Sequence, residues 1–213
     1  MIFDNYCIER VEFVTYLGII IDQHLNYYNH INVIRDKVAK GIGMLKMCHY
    51  FLPKFYVLSI YNAFVLPHLN YCVELWGNAC MTYLQPLRVM QKKCIRLLCG
   101  VPATTHCKPL ANELQLLLLD DIYVFSRGVL MFKCFHNDIV TSSLLTRTMH
   151  LFNTRYSDFN FYVHPVRTSI RKNFVLQCGV IWWNSLNLSL RTKCTLASFK
   201  LGLKSGLLNE YVL

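Results

Sequence analysis

Phe13-Val14-Thr15-Tyr16-Leu17-Gly18-Ile19-Ile20-Ile21-Asp22, with Leu25-Asn26-Tyr27 and His30-Ile31 just beyond it, is the stretch on which the fold turns. β-Branched and aromatic residues dominate it, one glycine interrupts it and an acid closes it, the composition of a strand rather than a helix. The three consecutive isoleucines within 18–21 suit a strand covered on both faces. Residues 6–8 and 11–14 read as two shorter strands around Glu9-Arg10. The period then changes to helical. Asn29 is placed to cap a helix over about 30–49, in which Ile31, Ile34, Val38, Ile42 and Leu45 form one stripe and Arg35, Lys37, Lys40 and Lys46 stay outside it.

Helical signals continue along the chain. Pro53 fits the first turn of a second helix over about 53–66, and Pro67 kinks or ends it ahead of 68–76. Gly77-Asn78 is a turn. Residues 81–99 form the clearest amphipathic helix, stopped by Gly100 and Pro102. Arg88, Lys92 and Arg96 fall within an arc of about 80° on it, with Leu87, Met90, Cys94, Leu97 and Leu98 opposite. Residues 109–117 read as a short helix or turn and 120–136 as a longer helix. Residues 141–158 are polar and weakly patterned, as in a linker or loop. Two more helices, 167–183 and 195–211, follow and are joined by 184–193. The expected fold class is mainly α, a helical bundle behind a small N-terminal β element, divided at 1–27, 28–140, 141–158 and 159–213.

The composition narrows the class. Over 213 residues, 54% are hydrophobic and only 16% charged, which excludes a disordered chain. A membrane-spanning helix needs about 20 mostly apolar residues. The run 114–119 stops at Asp120-Asp121, and 55–73 contains Asn62, Pro67, His68 and Asn70, so no span is expected. Residues 1–5 carry no secretory pattern, which points to the cytoplasm or nucleus. The ten cysteines sit singly in apolar segments and read as reduced core thiols. The tightest His/Cys group is Cys94, Cys99, His106 and Cys107, and it is not expected to bind zinc. Neither a metal nor a cofactor is expected.

Net charge is +10, and its layout is uneven. From 37 to 108 there are nine Lys/Arg and one acid, Glu74; from 155 to 204 there are eight Lys/Arg and one acid, Asp158. Acid-poor basic segments suit contact with phosphate backbones, although a solvated basic surface has the same composition.

Catalytic patterns are missing. Nucleotide polymerisation requires carboxylates that hold two metal ions. The adjacent pair Asp120-Asp121 has no aromatic before it at the right place and opens a helical pattern, where acids suit free N–H groups and the helix dipole. Ser142, Ser143, His136 and Asp138 form no nucleophile elbow, and no phosphate loop is present. No acidic cluster able to hold paired magnesium ions is expected; three carboxylates around one cleft would overturn that.

Ordered motifs add a resemblance. Tyr16-Leu17-Gly18, the strand ending in Asp22 and the downstream His30-Ile31 resemble the palm–thumb junction of non-LTR retrotransposon reverse transcriptases, the jockey-like elements among them. Phe51-Leu52-Pro53, Tyr61, Pro67-His68-Leu69, Tyr71-Cys72 and Trp76-Gly77-Asn78 are similar to the thumb, as is Gln91-Lys92-Lys93-Cys94-Ile95-Arg96. Arg167-Thr168-Ser169-Ile170-Arg171, Trp183-Asn184-Ser185-Leu186 and Ser198-Phe199-Lys200 resemble the family's tail. Thr15 stands where the family often has Lys.

The resemblance implies a β remnant of a polymerase palm at 1–27, a thumb-like bundle at 28–140, and catalytic aspartates that lie before Met1. It implies a truncated RNA-directed DNA polymerase that is not itself an enzyme. Arg88, Lys92, Lys93 and Arg96 would hold an RNA/DNA template–primer duplex by its phosphates, with Lys37, Lys40 and Lys46 as secondary contacts. Tyr16, Tyr50 and Trp76 are candidates for base stacking, set against the commoner core role of aromatics. The missing palm and fingers of the parent polymerase are the implied protein partner. The competing expectation is an inert or domesticated mobile-element remnant acting only through protein–protein contacts.

Overall fold

A computed structural model of the chain describes residues 2–3, 6–7, 10–136, 145 and 159–211. The described part is mainly α, with two small antiparallel hairpins at its N-terminal end. Strands β1 (Ile2–Phe3) and β2 (Tyr6–Cys7) pair with each other, and β3 (Phe13–Tyr16) pairs with β4 (Ile19–Asp22) in the register Phe13↔Asp22 to Tyr16↔Ile19. The β3–β4 turn is the dipeptide Leu17-Gly18, both with positive φ (48° and 80°). Such a two-residue turn matches the twist of a hairpin, and glycine enters it at little cost. The Tyr71 hydroxyl donates to the Leu17 carbonyl at 2.5 Å and fastens the turn to the helices.

The isoleucine strand departs from expectation. Only Ile19 is buried, the rest of β4 is half-buried, and all of β3 is exposed. A pair of strands with one neighbouring helix covers a single face, so the apolar run does not report two covering layers here.

Asp22 connects strand to helix. Its carboxylate accepts from the backbone amides of His24 (3.0 Å), Asn26 (3.1 Å) and Tyr27 (2.6 Å). Helix α1 (Tyr28–Cys48) then starts from Tyr27, held in the left-handed region, with no side-chain cap. Asn29 therefore lies inside the first turn rather than capping it.

The remaining helices are α2 (Lys54–Phe64), α3 (Leu66–Asn70), α4 (Val73–Trp76), α5 (Met81–Cys99), α6 (Cys107–Glu113), α7 (Leu119–Phe135), α8 (Ser169–Asn173), α9 (Val175–Ser185), α10 (Leu188–Arg191) and α11 (Leu196–Asn209). Pro67 sits in the first turn of α3 and Gly100 closes α5 in the left-handed conformation, as their chemistry dictates. The single helix expected over 167–183 is broken at Phe174, whose backbone is extended. The carbonyls this frees find side-chain donors: the Cys178 thiol on Lys172 and Asn78 Nδ2 on Asn173. The expected loop 141–158 lies outside the described residues apart from Leu145.

Two cores share α7. The first gathers Val38, Leu45, Tyr61, Leu69, Trp76, Leu87 and Ile95 with the start of α7 and with Leu208 and Tyr211. The second joins Met131, Phe132 and Phe135 of α7 to Phe161, Trp183, Phe199 and Leu203. Phe132 stacks on Phe199 with centroids 4.7 Å apart. Gly128 lets α7 approach the other helices closely, because a Cβ there would sit 2.7 Å from both Leu203 and Trp182. The Trp-Asn pair of the tail motif is a clamp. Trp183 Nε1 donates to the Phe159 carbonyl, and Asn184 exchanges two hydrogen bonds with the backbone of Phe161.

Candidate nucleic-acid interface

Helix α5 holds Arg88, Lys92, Lys93 and Arg96, and its packing begins with a residue that looks like part of the polar surface. Gln91 is buried. Its Nε2 donates to the Tyr61 hydroxyl (3.2 Å) and the Leu117 carbonyl (3.0 Å), while its Oε1 accepts from the Leu119 amide (2.7 Å). One side chain thus ties α5 to α2 and satisfies a free N–H at the start of α7. The neighbouring Leu118 amide donates to the Tyr211 hydroxyl (2.9 Å), which in turn donates to Asp121. The α7 start is capped by Gln91 and Tyr211, not by its own aspartates.

That frees Asp120 to face α5. Arg88 Nε lies 2.9 and 3.0 Å from the two Asp120 oxygens, and its second nitrogen lies 2.7 Å from Oδ1. The Arg88 side chain is only 14% exposed, and a bidentate pair of this kind is geometrically specific. Arg96 Nε donates to the Thr105 carbonyl at 2.8 Å. Lys92 and Lys93 are exposed and have no ion-pair partner among the described residues. The same holds for Lys37, Lys40 and Lys46 on α1, which packs against α5.

Arg88 and Lys92 meet Lys108, Gln91, Asp120, Asp121, Glu210 and Tyr211 around a cleft of about 250 Å³. Lys93, Arg96 and the α1 lysines lie outside it. Lys37 sits on the side of His30 and His68, whose imidazoles are held below their ordinary pKa by burial first and by the Lys37 charge second. The structure therefore spreads the seven candidate cations over a surface instead of joining them at one point.

Three carboxylates, Asp120, Asp121 and Glu210, line the cleft. They are differently occupied: Arg88 holds Asp120, and Tyr211 donates to Asp121. Burial pushes the Asp121 carboxyl up, the Tyr211 hydrogen bond opposes this, and the charges of Asp120 and Glu210 push further upward. Among the described residues, no group of three or more His, Cys, Asp or Glu is disposed to hold a metal ion.

Other residues sort by burial. Trp76 is fully buried, its Nε1 donating to the Tyr71 carbonyl (3.0 Å), so it belongs to the core and not to a stacking surface. Tyr16 and Tyr50 are exposed. Nine cysteines of the described residues are free thiols. Cys94 is buried and its thiol is pushed up to about 12 by that burial, whereas Cys80 and Cys194 are exposed and are not core residues. The sequence offers Lys108 as one of the nine cations of the acid-poor segment and Gln91 as the start of the Gln91–Arg96 motif, but gives no sign that either lines this cleft; Tyr211 carries no local signal.

Comparison with known proteins gives relatives of one kind. The chain is 29% identical over 110 residues, half its length, to the probable RNA-directed DNA polymerase from transposon X-element of Drosophila melanogaster. It is 28% and 29% identical over 110 residues to the RNA-directed DNA polymerases from mobile element jockey of Drosophila funebris and Drosophila melanogaster. Half of this chain is a non-LTR retrotransposon reverse-transcriptase-like region. The match spans 12% of the length of each relative. No protein-family model matches the chain, and no solved structure does. Within the described residues, no helix is long and apolar enough to cross a membrane.

Proposed function

We propose that this chain grips an RNA/DNA template–primer duplex without sequence preference, in the manner of a polymerase thumb, and does not itself join nucleotides. The observation that carries the reading is the pair Lys92-Lys93: two exposed lysines with no ion pair among the described residues, on a helix whose register the buried Gln91 fixes. Arg88 and Arg96 set the ridge in place through Asp120 and Thr105, and Lys37, Lys40 and Lys46 extend it along α1. Lysine contacts of this type give affinity and orientation but no sequence readout. The second half of the reading is supported by the duties of the adjacent aspartates, one tied to an arginine and the other to a tyrosine.

The test is fluorescence anisotropy with a mixed-sequence RNA–DNA duplex. If five lysines neutralise five phosphates, affinity falls by about two to three orders of magnitude between roughly 50 and 200 mM salt. Folded protein with no duplex binding at the lower salt would contradict this reading. A second reading, protein–protein contact alone, is favoured by β3, whose residues are all exposed. That face would pack on the palm and fingers of a polymerase, and the same anisotropy result separates the two readings.

A further inference from the structure

Seven consecutive residues, Tyr50-Phe51-Leu52-Pro53-Lys54-Phe55-Tyr56, are all exposed at the corner between α1 and α2. Four of them carry aromatic rings: Phe51 is 86% exposed, Tyr50 79%, Phe55 73% and Tyr56 56%. The corner is tightly built. The amides of Phe51 and Leu52 both donate to the Cys48 carbonyl, the Tyr56 amide donates to Pro53, and Pro53 fixes its own φ. Hydrogen-bonded backbone thus holds the rings out. The core does not use them; it takes Leu45, Val57 and Tyr61 from the same two helices.

Grouped exposed apolar side chains mark a binding surface, and the surrounding charge narrows the occupant. Lys46 is exposed beside the corner, and Lys54 lies within it, its ammonium 2.6 Å from Glu113. No acid occurs in the sequence from 37 to 73. An occupant that presents flat apolar faces and negative charge together fits this chemistry. A protein partner accounts for the rings but not for the lack of acids in 37–73; at the corner itself Lys54 is already paired with Glu113, which leaves Lys46 as the cation free to meet a phosphate.

We infer that the α1–α2 corner is a stacking platform for unpaired bases of single-stranded nucleic acid, separate from the phosphate-contacting surface of α5. The inference rests on the nucleic-acid reading above. Bases stack on Tyr50, Phe51, Phe55 and Tyr56 while Lys46 meets the backbone, and stacking of this type is tolerant of sequence.

The experiment compares a labelled oligo-dT of about 12 nucleotides with an abasic strand of the same length, which keeps the phosphates and lacks the bases. The full chain and the double variant Phe51→Ala/Phe55→Ala are both tested, with helicity by circular dichroism and mass by sedimentation as controls. Wild type should bind oligo-dT at least about fivefold tighter than the abasic strand, and the variant, left with Tyr50 and Tyr56 alone, should lose most of that preference with its abasic affinity unchanged. Equal affinities in wild type would remove the platform while leaving the α5 reading intact; no binding of either strand would remove both. Loss of self-association, or of binding to phosphatidylserine vesicles, in the variant without any base preference in wild type would assign the corner to a second copy or a lipid surface and overturn the inference.

Discussion

Asp22 shows how one side chain can carry a motif. It ends β4, turns the chain through Leu25 and Tyr27 with their positive φ, and launches α1 by accepting three backbone amides. Burial pushes its carboxyl up, but the three amides outweigh burial and hold it below the usual carboxylate value. A depressed folded-state pKa contributes stability that is complete above the unfolded value, about 4, and is lost as pH falls through the folded value. Asp22→Ala should therefore cost about 1–2 kcal/mol at neutral pH, and the gap to wild type should shrink at about pH 3. Urea unfolding at the two pH values checks this; a gap of constant size would assign Asp22 a role other than charged acceptor. The acid was legible in the sequence as the end of a strand. Its reach to three amides was not, because they depend on left-handed residues that no local propensity announces, and Asn29 looked the better cap for that reason.

At the scale of elements, α5 was read to the residue from its periodicity and its Gly100 stop, whereas its energetic centre was not. Gln91 stands in a run of polar residues and reads as surface, yet its partners are Tyr61, Leu117 and Leu119, far away in sequence. Replacing it by the apolar Leu leaves one backbone amide, one carbonyl and one hydroxyl unpaired where α2, α5 and α7 meet. The expected loss is about 2–4 kcal/mol, read from the urea midpoint; a loss below about 0.5 kcal/mol would contradict the joint. The split of 167–183 into α8 and α9 was hidden for a related reason. Its stop is not a proline or glycine but the Asn78 and Cys178 side chains, which satisfy the carbonyls that a break exposes.

At the scale of the whole molecule, a mainly α fold with an N-terminal hairpin was legible, since helical periods and turn residues are local signals. The joining of two cores by α7 was not, because the ring stack of Phe132 on Phe199 pairs residues from opposite sides of 141–158. The charge layout was also visible in advance, but not its division of labour: arginines that tether, lysines that face water. That division makes the central claim measurable. The salt dependence of RNA–DNA duplex binding should be recorded for wild type and for Lys92→Gln/Lys93→Gln, with unfolding curves to show equal stability. If these lysines meet phosphates, the log–log slope becomes shallower by about 1.4–1.8 in the double variant; an unchanged slope with unchanged affinity would contradict a grip on α5.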